Sequence, residues 1–327
     1  MTIIDDTFYN ALPSGVKAKK LNLAYREKLI QSFTHLVGVS STSLKINLSD
    51  VQKTIESINV KRKFSPKLFA LHSKLFASLN NADITSTIDS LKELSLLNDK
   101  SIYDNKMRIS SILTEDWEAD FVSHMRKEII ESKGSKPFII HPILNEYFEV
   151  YRQSILEFEK ILKTLDKDFF SEYIEYPTRL KFFHGRTLIG ASAVRVYGAI
   201  YLRTPDRNEN YLSYFAEHLT HEVSHLHLYS LLAHDPLILN PTGTLYNAPI
   251  RSDKRPLYGI MHATFVLSRM VRVFRLMYMQ NNNRLFLAQL NKFRKQLKGG
   301  IKTLNENAKF TEKGMAVFKT INDCAES

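Results

Sequence analysis

The sequence His221-Glu222-Val223-Ser224-His225 lies in a long helical pattern that begins near Tyr211, and the rest of the chain is organised around it. In a helix, residues i and i+4 stand one above the other on the same face. His221 and His225 can therefore direct ring nitrogens at one ion. Glu222 lies about 100° around the helix, near enough to touch a metal-bound water or the metal itself. The pattern predicts a two-histidine metal site with a carboxylate beside it. The alternative is two buried histidines that hydrogen-bond to backbone or water.

A third ligand is expected from a second helix that starts near Leu257. His262 lies in its first turns, with the small residues Gly259 and Ala263 nearby, and enough chain separates it from His225 for the backbone to double back. We therefore predict that His262 completes the ligand set. Its alternative role is that of a buried histidine with an ordinary hydrogen bond. The rival third ligands are Asp235 and Asp253, each of which could instead cap a helix or orient a ligand.

Composition limits the chemistry of the site and the location of the chain. Cys324 is the one cysteine among 327 residues, so an internal disulfide and a cysteine-based metal cluster are excluded, and nitrogen and oxygen atoms must hold any metal. No apolar run has the length of a membrane span, and the N-terminus lacks the pattern of a signal peptide. We expect a cytoplasmic protein that does not enter a membrane.

The net charge of +11 is concentrated near the C-terminus. Residues 269–313 contain Glu306 and Glu312 as their acidic residues, against a run of basic ones: Arg269, Arg272, Arg275, Arg284, Lys292, Arg294, Lys295, Lys298, Lys302, Lys309 and Lys313. This stretch is either the solvated face of C-terminal helices or a cradle for an acidic peptide or tail. Nucleic acid is not the expected partner, because no aromatic platform is interleaved with the basic residues.

The periodicity predicts a mainly α-helical α+β fold. Helical patterns cover residues 16–37, a helix opening at Ser65-Pro66, one capped by Asn81 or Asp83, and one over 114–132. The segments 179–183 and 187–189 are expected to form short strands around a tight turn at His184-Gly185, with 194–203 as another strand. We therefore predict a small antiparallel sheet beside the metal-binding helix. The chain is divided into a helical N-terminal region, 1–140, and a metal-site catalytic region with basic C-terminal helices, 141–327.

The segment that follows the histidine pair resembles a known family. The resemblance rests on the stretch His221-Glu222-Val-Ser-His225 … Asp235-Pro236-Leu237 … Tyr246 … Pro249-Ile-Arg251-Ser-Asp253-Lys-Arg255-Pro256-Leu-Tyr-Gly259-Ile-Met-His262. It is similar to the HExxH-motif peptide-modification proteins that accompany ribosomally made, post-translationally modified peptides. Residues 190–275 carry most of the similarity, and the stretch from Ser65-Pro66 carries a fainter one. The chain departs from the pattern at Ile250, where an aromatic residue is common, and at Ala263, where glycine is common.

The resemblance implies an iron(II)- and 2-oxoglutarate-dependent oxygenase that hydroxylates a side chain of a precursor peptide, at Cβ. Arg251 and Arg255 suit the distal carboxylate of 2-oxoglutarate, because a guanidinium binds a carboxylate through two hydrogen bonds. Their alternative role is a surface ion pair with Asp253. In the hydroxylase, Glu222 is a ligand or an outer-shell group at the metal.

Two other functions are compatible with the same residues. A zinc-dependent peptidase would use the same histidines, with Glu222 as the general base on a bound water. It has no requirement for the arginine pair. A basic binding module with a purely structural metal is the non-enzymatic alternative.

Overall fold

The computed structural model describes residues 2–133, 138–144, 148–250 and 253–326. Over these residues the protein is mainly helical and carries small β-sheets, so the predicted α+β class is confirmed. None of the helices in this part of the chain combines the length and the apolarity needed to cross a bilayer.

Most of the helices lie where the sequence periodicity predicts them. Their bounds are α1 (Gly15–Leu44), α2 (Ser49–Glu56), α3 (Pro66–Asn80), α4 (Ile84–Ser95), α5 (Asp99–Ile102), α6 (Glu118–Lys133), α7 (Phe148–Leu165), α8 (Lys167–Glu175), α9 (Tyr211–Leu232), α10 (Leu257–Asn281), α11 (Arg284–Asn307) and α12 (Glu312–Glu326). The expected caps are present. The Ser65 hydroxyl accepts from Lys67 N ahead of Pro66, and the Asp83 carboxylate accepts from Ser86 N.

The larger sheet has a different topology from the one predicted. Its strands are β1 (Arg108–Ser111), β2 (Ile140–His141), β3 (Arg179–Gly185), β4 (Gly190–Ala191) and β5 (Ala199–Arg203). β1 and β5 both pair with β3 in parallel, whereas β2 pairs with β3 and β4 with β5 in antiparallel fashion. The sheet is therefore mixed, and the prediction of an antiparallel sheet is wrong for its central pairs.

The hairpin predicted at His184-Gly185 is also wrong, and Gly185 shows why. This residue ends β3 and lies opposite Ile140 of β2. A β-carbon on Gly185 would lie 2.5 Å from the carbonyl oxygen of Ile139, so glycine is needed here for the close approach of a backbone rather than for a turn. Val194–Val196, predicted as part of a strand, forms a short 3-10 helix that leads into β5.

The chain forms two compact units that interleave along the sequence. The first unit consists of Met1–Thr2, Asn22–Glu146 and Pro177–Thr204, and the second of Ile3–Leu21, Tyr147–Tyr176 and Pro205–Ser327. The predicted division at residues 140 and 141 was between a helical region and a catalytic region, not between packing units. That division stays a prediction.

In the first unit, α6 packs on the larger sheet. Phe121 of α6 and Tyr201 of β5 have ring centroids 4.8 Å apart, in an apolar cluster that also contains Trp117. The sheet contributes a fully buried lysine, Lys181, whose Nζ lies 3.0 Å from the fully buried carboxylate of Glu118. This paired charge links β3 to the first turn of α6, because a buried ammonium requires a partner.

The first turn of α6 begins later than the sequence predicts. The helix starts at Glu118, and the Glu118 carboxylate accepts from the backbone N–H groups of Thr114 and Glu115 at 3.0 and 2.9 Å. Glu115 and Asp116 precede the helix and pair with Arg179 and Lys67 respectively. Their acidic side chains therefore hold ion pairs instead of serving the helix dipole.

A buried histidine of the first unit makes stability depend on pH. His72 of α3 lies with Nε2 2.7 Å from Ser32 Oγ, and burial lowers its pKa from 6.5 to about 4. As the pH falls, His72 is therefore protonated in the unfolded chain before it is protonated in the folded one. Its contribution to the free energy of unfolding is complete above pH 6.5 and is lost as the pH falls towards 4. We expect the free energy of unfolding to lose up to about 1.4 kcal/mol per pH unit through this group. Urea denaturation of wild type and His72→Gln between pH 7 and 5 measures it. The variant should show a shallower pH dependence, and parallel curves would contradict the assignment.

The second unit contains a buried ionic cluster around Glu172 of α8. The Glu172 carboxylate pairs with Arg269 of α10, and both side chains are fully buried. His227 of α9 lies beside it, with Nδ1 3.5 Å from Glu172 Oε1 and 2.9 Å from the Tyr176 hydroxyl. Burial lowers the pKa of Arg269 to about 9, so the guanidinium stays charged at neutral pH. Glu172 thus links α8 to both α9 and α10.

This cluster divides the predicted basic stretch 269–313. Arg269 belongs to the core, and Arg272 pairs with Asp166, whose side chain is 2% exposed. Neither arginine is part of a solvated face or a peptide cradle. The exposed basic residues lie further on, in α11 and beyond it.

Candidate metal centre

The predicted metal ligands His221 and His225 lie on a regular helix, α9. Asn210 caps α9, and its side-chain oxygen accepts from Ser213 N at 2.9 Å. Most of the helix is apolar and buried, whereas His221 and His225 are half-buried. The helix therefore presents both imidazoles on one partly accessible strip, as the i,i+4 spacing predicts.

The structure brings the ring nitrogens of His221 and His225 together. Their Nε2 atoms lie 3.1 Å apart, and the ring centroids are 4.8 Å apart. Two nitrogens that each bind one ion at about 2.1 Å lie at most about 4.2 Å from each other, so this pair fits a shared ion. The same distance also fits an N–H···N hydrogen bond between the two rings.

His262 lies on α10 next to this pair but outside its immediate contact. Its ring centroid is 5.8 Å from that of His225. Among the described residues its Nε2 has no hydrogen-bond partner, although the atom is buried. Burial lowers the pKa of His262 to about 4, so the ring is neutral at neutral pH, which is the form that binds a metal. These properties fit a ligand.

A complete three-ligand set is not assembled. Across residues 2–133, 138–144, 148–250 and 253–326, no three His, Cys, Asp or Glu side chains are placed to hold an ion together. The structure thus brings the rings of His221 and His225 together, and the neutral ring of His262 lies 5.8 Å from that of His225. The assignment of His262 as the third ligand stays a prediction.

The two rival carboxylates are engaged elsewhere. Asp235 Oδ1 accepts from Leu237 N at 2.7 Å and from Thr311 Oγ1 at 2.6 Å, which fixes the turn after α9. Asp253 is paired with Arg255. Asp235 therefore fixes a turn rather than capping a helix, and Asp253 forms the ion pair that was the alternative role of the arginines.

Glu222 is buried, with a residue exposure of 5%. It follows His221 directly on α9, about 100° around the helix, so its carboxylate is held in a low-dielectric setting. Such a carboxylate is suited to orienting a ligand or to accepting a proton, and its role stays a prediction.

Arg255 lies close to the first turn of α10. It is part of the short hairpin β6 (Tyr246–Asn247) and β7 (Lys254–Arg255). A β-carbon on Gly259 would lie 3.4 Å from Arg255 Cβ, which places the arginine stem one helical turn before His262. Its Nη2 pairs with Asp253, whereas its buried Nε has no hydrogen-bond partner among the described residues. The second predicted cofactor-binding residue, Arg251, lies outside the described residues.

Two tyrosines that the sequence analysis did not single out flank the histidines. Tyr229 stacks on His225 at a centroid distance of 6.0 Å and lies 5.8 Å from His262. Tyr258 is 4.3 Å from His262. Each tyrosine is four residues from the histidine of its own helix, so the i,i+4 rule that identified the pair could also have found them. They form an aromatic wall around the candidate ligands.

The sequence matches no protein-family model and no protein of curated function.

Proposed function

We propose that the chain is an iron(II)/2-oxoglutarate-dependent oxygenase that hydroxylates a side chain, at Cβ, of a ribosomally made precursor peptide. The observation that carries the proposal is the pair of Nε2 atoms of His221 and His225, 3.1 Å apart. An arginine stem also lies one turn from His262. Paired imidazoles suit iron, and a guanidinium suits the carboxylate of the cosubstrate.

The residues of the site have separate tasks in this proposal. His221 and His225 hold iron(II) in their neutral form, with His262 as the third ligand. When bound, iron would supply the oxygen chemistry: of the two atoms of one dioxygen molecule, one enters the succinate formed with carbon dioxide from 2-oxoglutarate, and the other enters a C–H bond of the peptide. Glu222, buried and next to His221 in the sequence, acts as a ligand or as an outer-shell group that orients one.

Arg255 provides the cation for the distal carboxylate of 2-oxoglutarate. Its buried Nε has an unused donor, and desolvation makes such a donor costly to leave unpaired. Asp253 holds the other side of the guanidinium and fixes its plane. An arginine in this position offers the two-pronged contact that a carboxylate accepts.

A zinc-dependent peptidase is the second candidate, and it is favoured by a buried carboxylate, Glu222, that directly follows His221 in the sequence. In that case Glu222 is the general base on a zinc-bound water, and Arg255 has no cosubstrate to bind.

The decisive experiment measures cosubstrate binding and product formation in one preparation. Anaerobic titration of the iron(II)-loaded protein should show binding of 2-oxoglutarate. With oxygen, a precursor peptide encoded beside this gene should gain about 16 Da, one oxygen atom, as succinate forms. Arg255→Lys should weaken 2-oxoglutarate binding by about tenfold or more, since a point charge replaces a charged two-pronged contact. Arg207→Lys, an exposed arginine before α9, is the matched control and should bind as wild type does.

The opposite outcome supports the peptidase. Zinc would restore activity, the peptide would be cleaved, and neither succinate nor a dependence on 2-oxoglutarate would be found. Cleavage of this kind would overturn the proposed hydroxylase.

A further inference from the structure

Helix α11 carries its positive charge on one side. Its buried face consists of Phe286, Leu290, Phe293, Leu297, Gly300 and Leu304. On the opposite side the exposed positions include a set of cations that we call the basic stripe: Arg284, Lys295, Lys298 and Lys302. At about 100° per residue, these four side chains fall within an arc of about 60°.

The cations of the basic stripe form no ion pairs with the part of the chain that the structure describes. Among the described residues, none of its four cations has an ion-pair partner, whereas neighbouring Lys292 lies 3.5 Å from Glu217. Glu306 is the single acidic residue of α11 and lies near its C-terminal end. The stripe therefore presents a row of like charges, which is unfavourable in isolation and favourable against an anionic partner.

The surface beside Lys298 is open. Gly299 lies between Lys298 and Lys302, and a β-carbon added to it would meet nothing within 4 Å. From Arg284 to Lys302 the helix rises by about 27 Å, which an extended segment of about eight residues would span. The lysines at i, i+3 and i+7 also match acidic side chains at the same spacing on a partner helix.

We infer that the basic stripe is a docking surface for an acidic peptide segment. An anionic membrane is a poorer fit, because the apolar side of α11 is buried in the protein and has no free face to insert into lipid. Nucleic acid is a poorer fit, because the stripe carries no aromatic side chain on which bases could stack. An acidic peptide needs only charge complementarity along a line. The identification of this segment with the leader of the precursor peptide rests on the proposed function.

The test uses the full chain and a fluorescent decaglutamate peptide, with decaserine as the neutral probe. We expect decaglutamate to bind and its affinity to fall steeply with salt, because exposed charges are screened over about 10 Å at 0.1 M and about 3 Å at 1 M. The triple variant Lys295→Gln/Lys298→Gln/Lys302→Gln should lose about tenfold or more in affinity at low salt. Glutamine has a helix propensity similar to that of lysine, so α11 should stay folded, which circular dichroism checks.

The matched control removes the same charge from scattered exposed lysines of the first unit: Lys53→Gln/Lys61→Gln/Lys100→Gln. This control should bind decaglutamate within about threefold of wild type, because long-range charge alone is screened. Equal losses in both triple variants, or binding that is flat with salt, would overturn the docking surface. So would tighter binding of a single-stranded RNA or of phosphatidylserine vesicles than of decaglutamate.

A second measurement separates this inference from the proposed chemistry. In the stripe variant the KM for the precursor peptide should rise while the affinity for 2-oxoglutarate stays at the wild-type value. If decaglutamate binds at the stripe but no succinate forms, the docking surface stands and the hydroxylase fails. If succinate forms with an unchanged KM and the stripe variant binds decaglutamate as wild type does, the hydroxylase stands and the docking surface fails.

Discussion

Replacement of either His221 or His225 by alanine is expected to remove the bound metal and abolish activity. Their Nε2 atoms lie 3.1 Å apart, so each ring supplies a donor that the other cannot replace. Loss of an outer-shell partner already costs about 10- to 100-fold in metal affinity, and loss of a ligand should cost more than about 100-fold. Metal analysis after anaerobic reconstitution with iron(II), followed by desalting, measures the effect directly.

Two further variants make this result specific. His35→Ala removes an exposed histidine of α1 and should leave the metal content unchanged. His262→Ala tests the third ligand: metal loss like that of His225→Ala supports it, and full retention assigns the position to another group. Full metal content in folded His221→Ala or His225→Ala protein would mean that the pair is only hydrogen-bonded.

The parts of the candidate site that depend only on neighbouring residues in the sequence could be predicted. The i,i+4 spacing of His221 and His225 depends only on helix geometry, and the structure places the two rings together. The position of His262 depends on how α10 packs against α9, which periodicity does not specify, and its ring lies 5.8 Å from that of His225. The start of α10, which contains Gly259, could be predicted from the sequence. The packing of the Arg255 side-chain stem against Gly259 could not.

The fold shows the same limit. Helices such as α3 and α9 could be predicted because capping residues and apolar spacing mark them within a few residues. The order of the larger sheet depends on pairings between distant segments, such as β1 with β3, and strands of two to seven residues carry little pattern of their own. Gly185 illustrates the error, because a glycine required by a neighbouring backbone has the same sequence signature as a glycine in a turn.

Charge runs are ambiguous for a related reason. Arg269 begins the basic stretch in the sequence, yet its partner Glu172 lies 97 residues earlier and holds it in the core. Lys295 has no such partner among the described residues and is exposed. A count of basic residues in the sequence therefore mixes buried, paired cations with exposed, unpaired ones. Only the packing of the folded chain distinguishes the two.

The second large effect is expected from this buried pair. Arg269→Met should reduce the free energy of unfolding by about 3–5 kcal/mol, because the change leaves the fully buried Glu172 carboxylate without its cation. Urea denaturation at pH 7 measures the loss as a lower transition midpoint. The matched control is Lys53→Met. Lys53 forms an exposed ion pair with Asp50, so this variant should lose only about 0–1 kcal/mol of the free energy of unfolding.

A double variant distinguishes an uncompensated charge from simple loss of packing. Arg269→Met/Glu172→Gln removes both charges and keeps an oxygen to accept from Ser14 N, which lies 2.8 Å from Glu172 Oε1 in the wild type. It should be more stable than Arg269→Met alone, since a buried carboxylate left without its cation costs more than a neutral amide in its place. If the double variant is less stable than the single one, the cost lies in the contacts of the arginine with Phe169 and Phe265 instead.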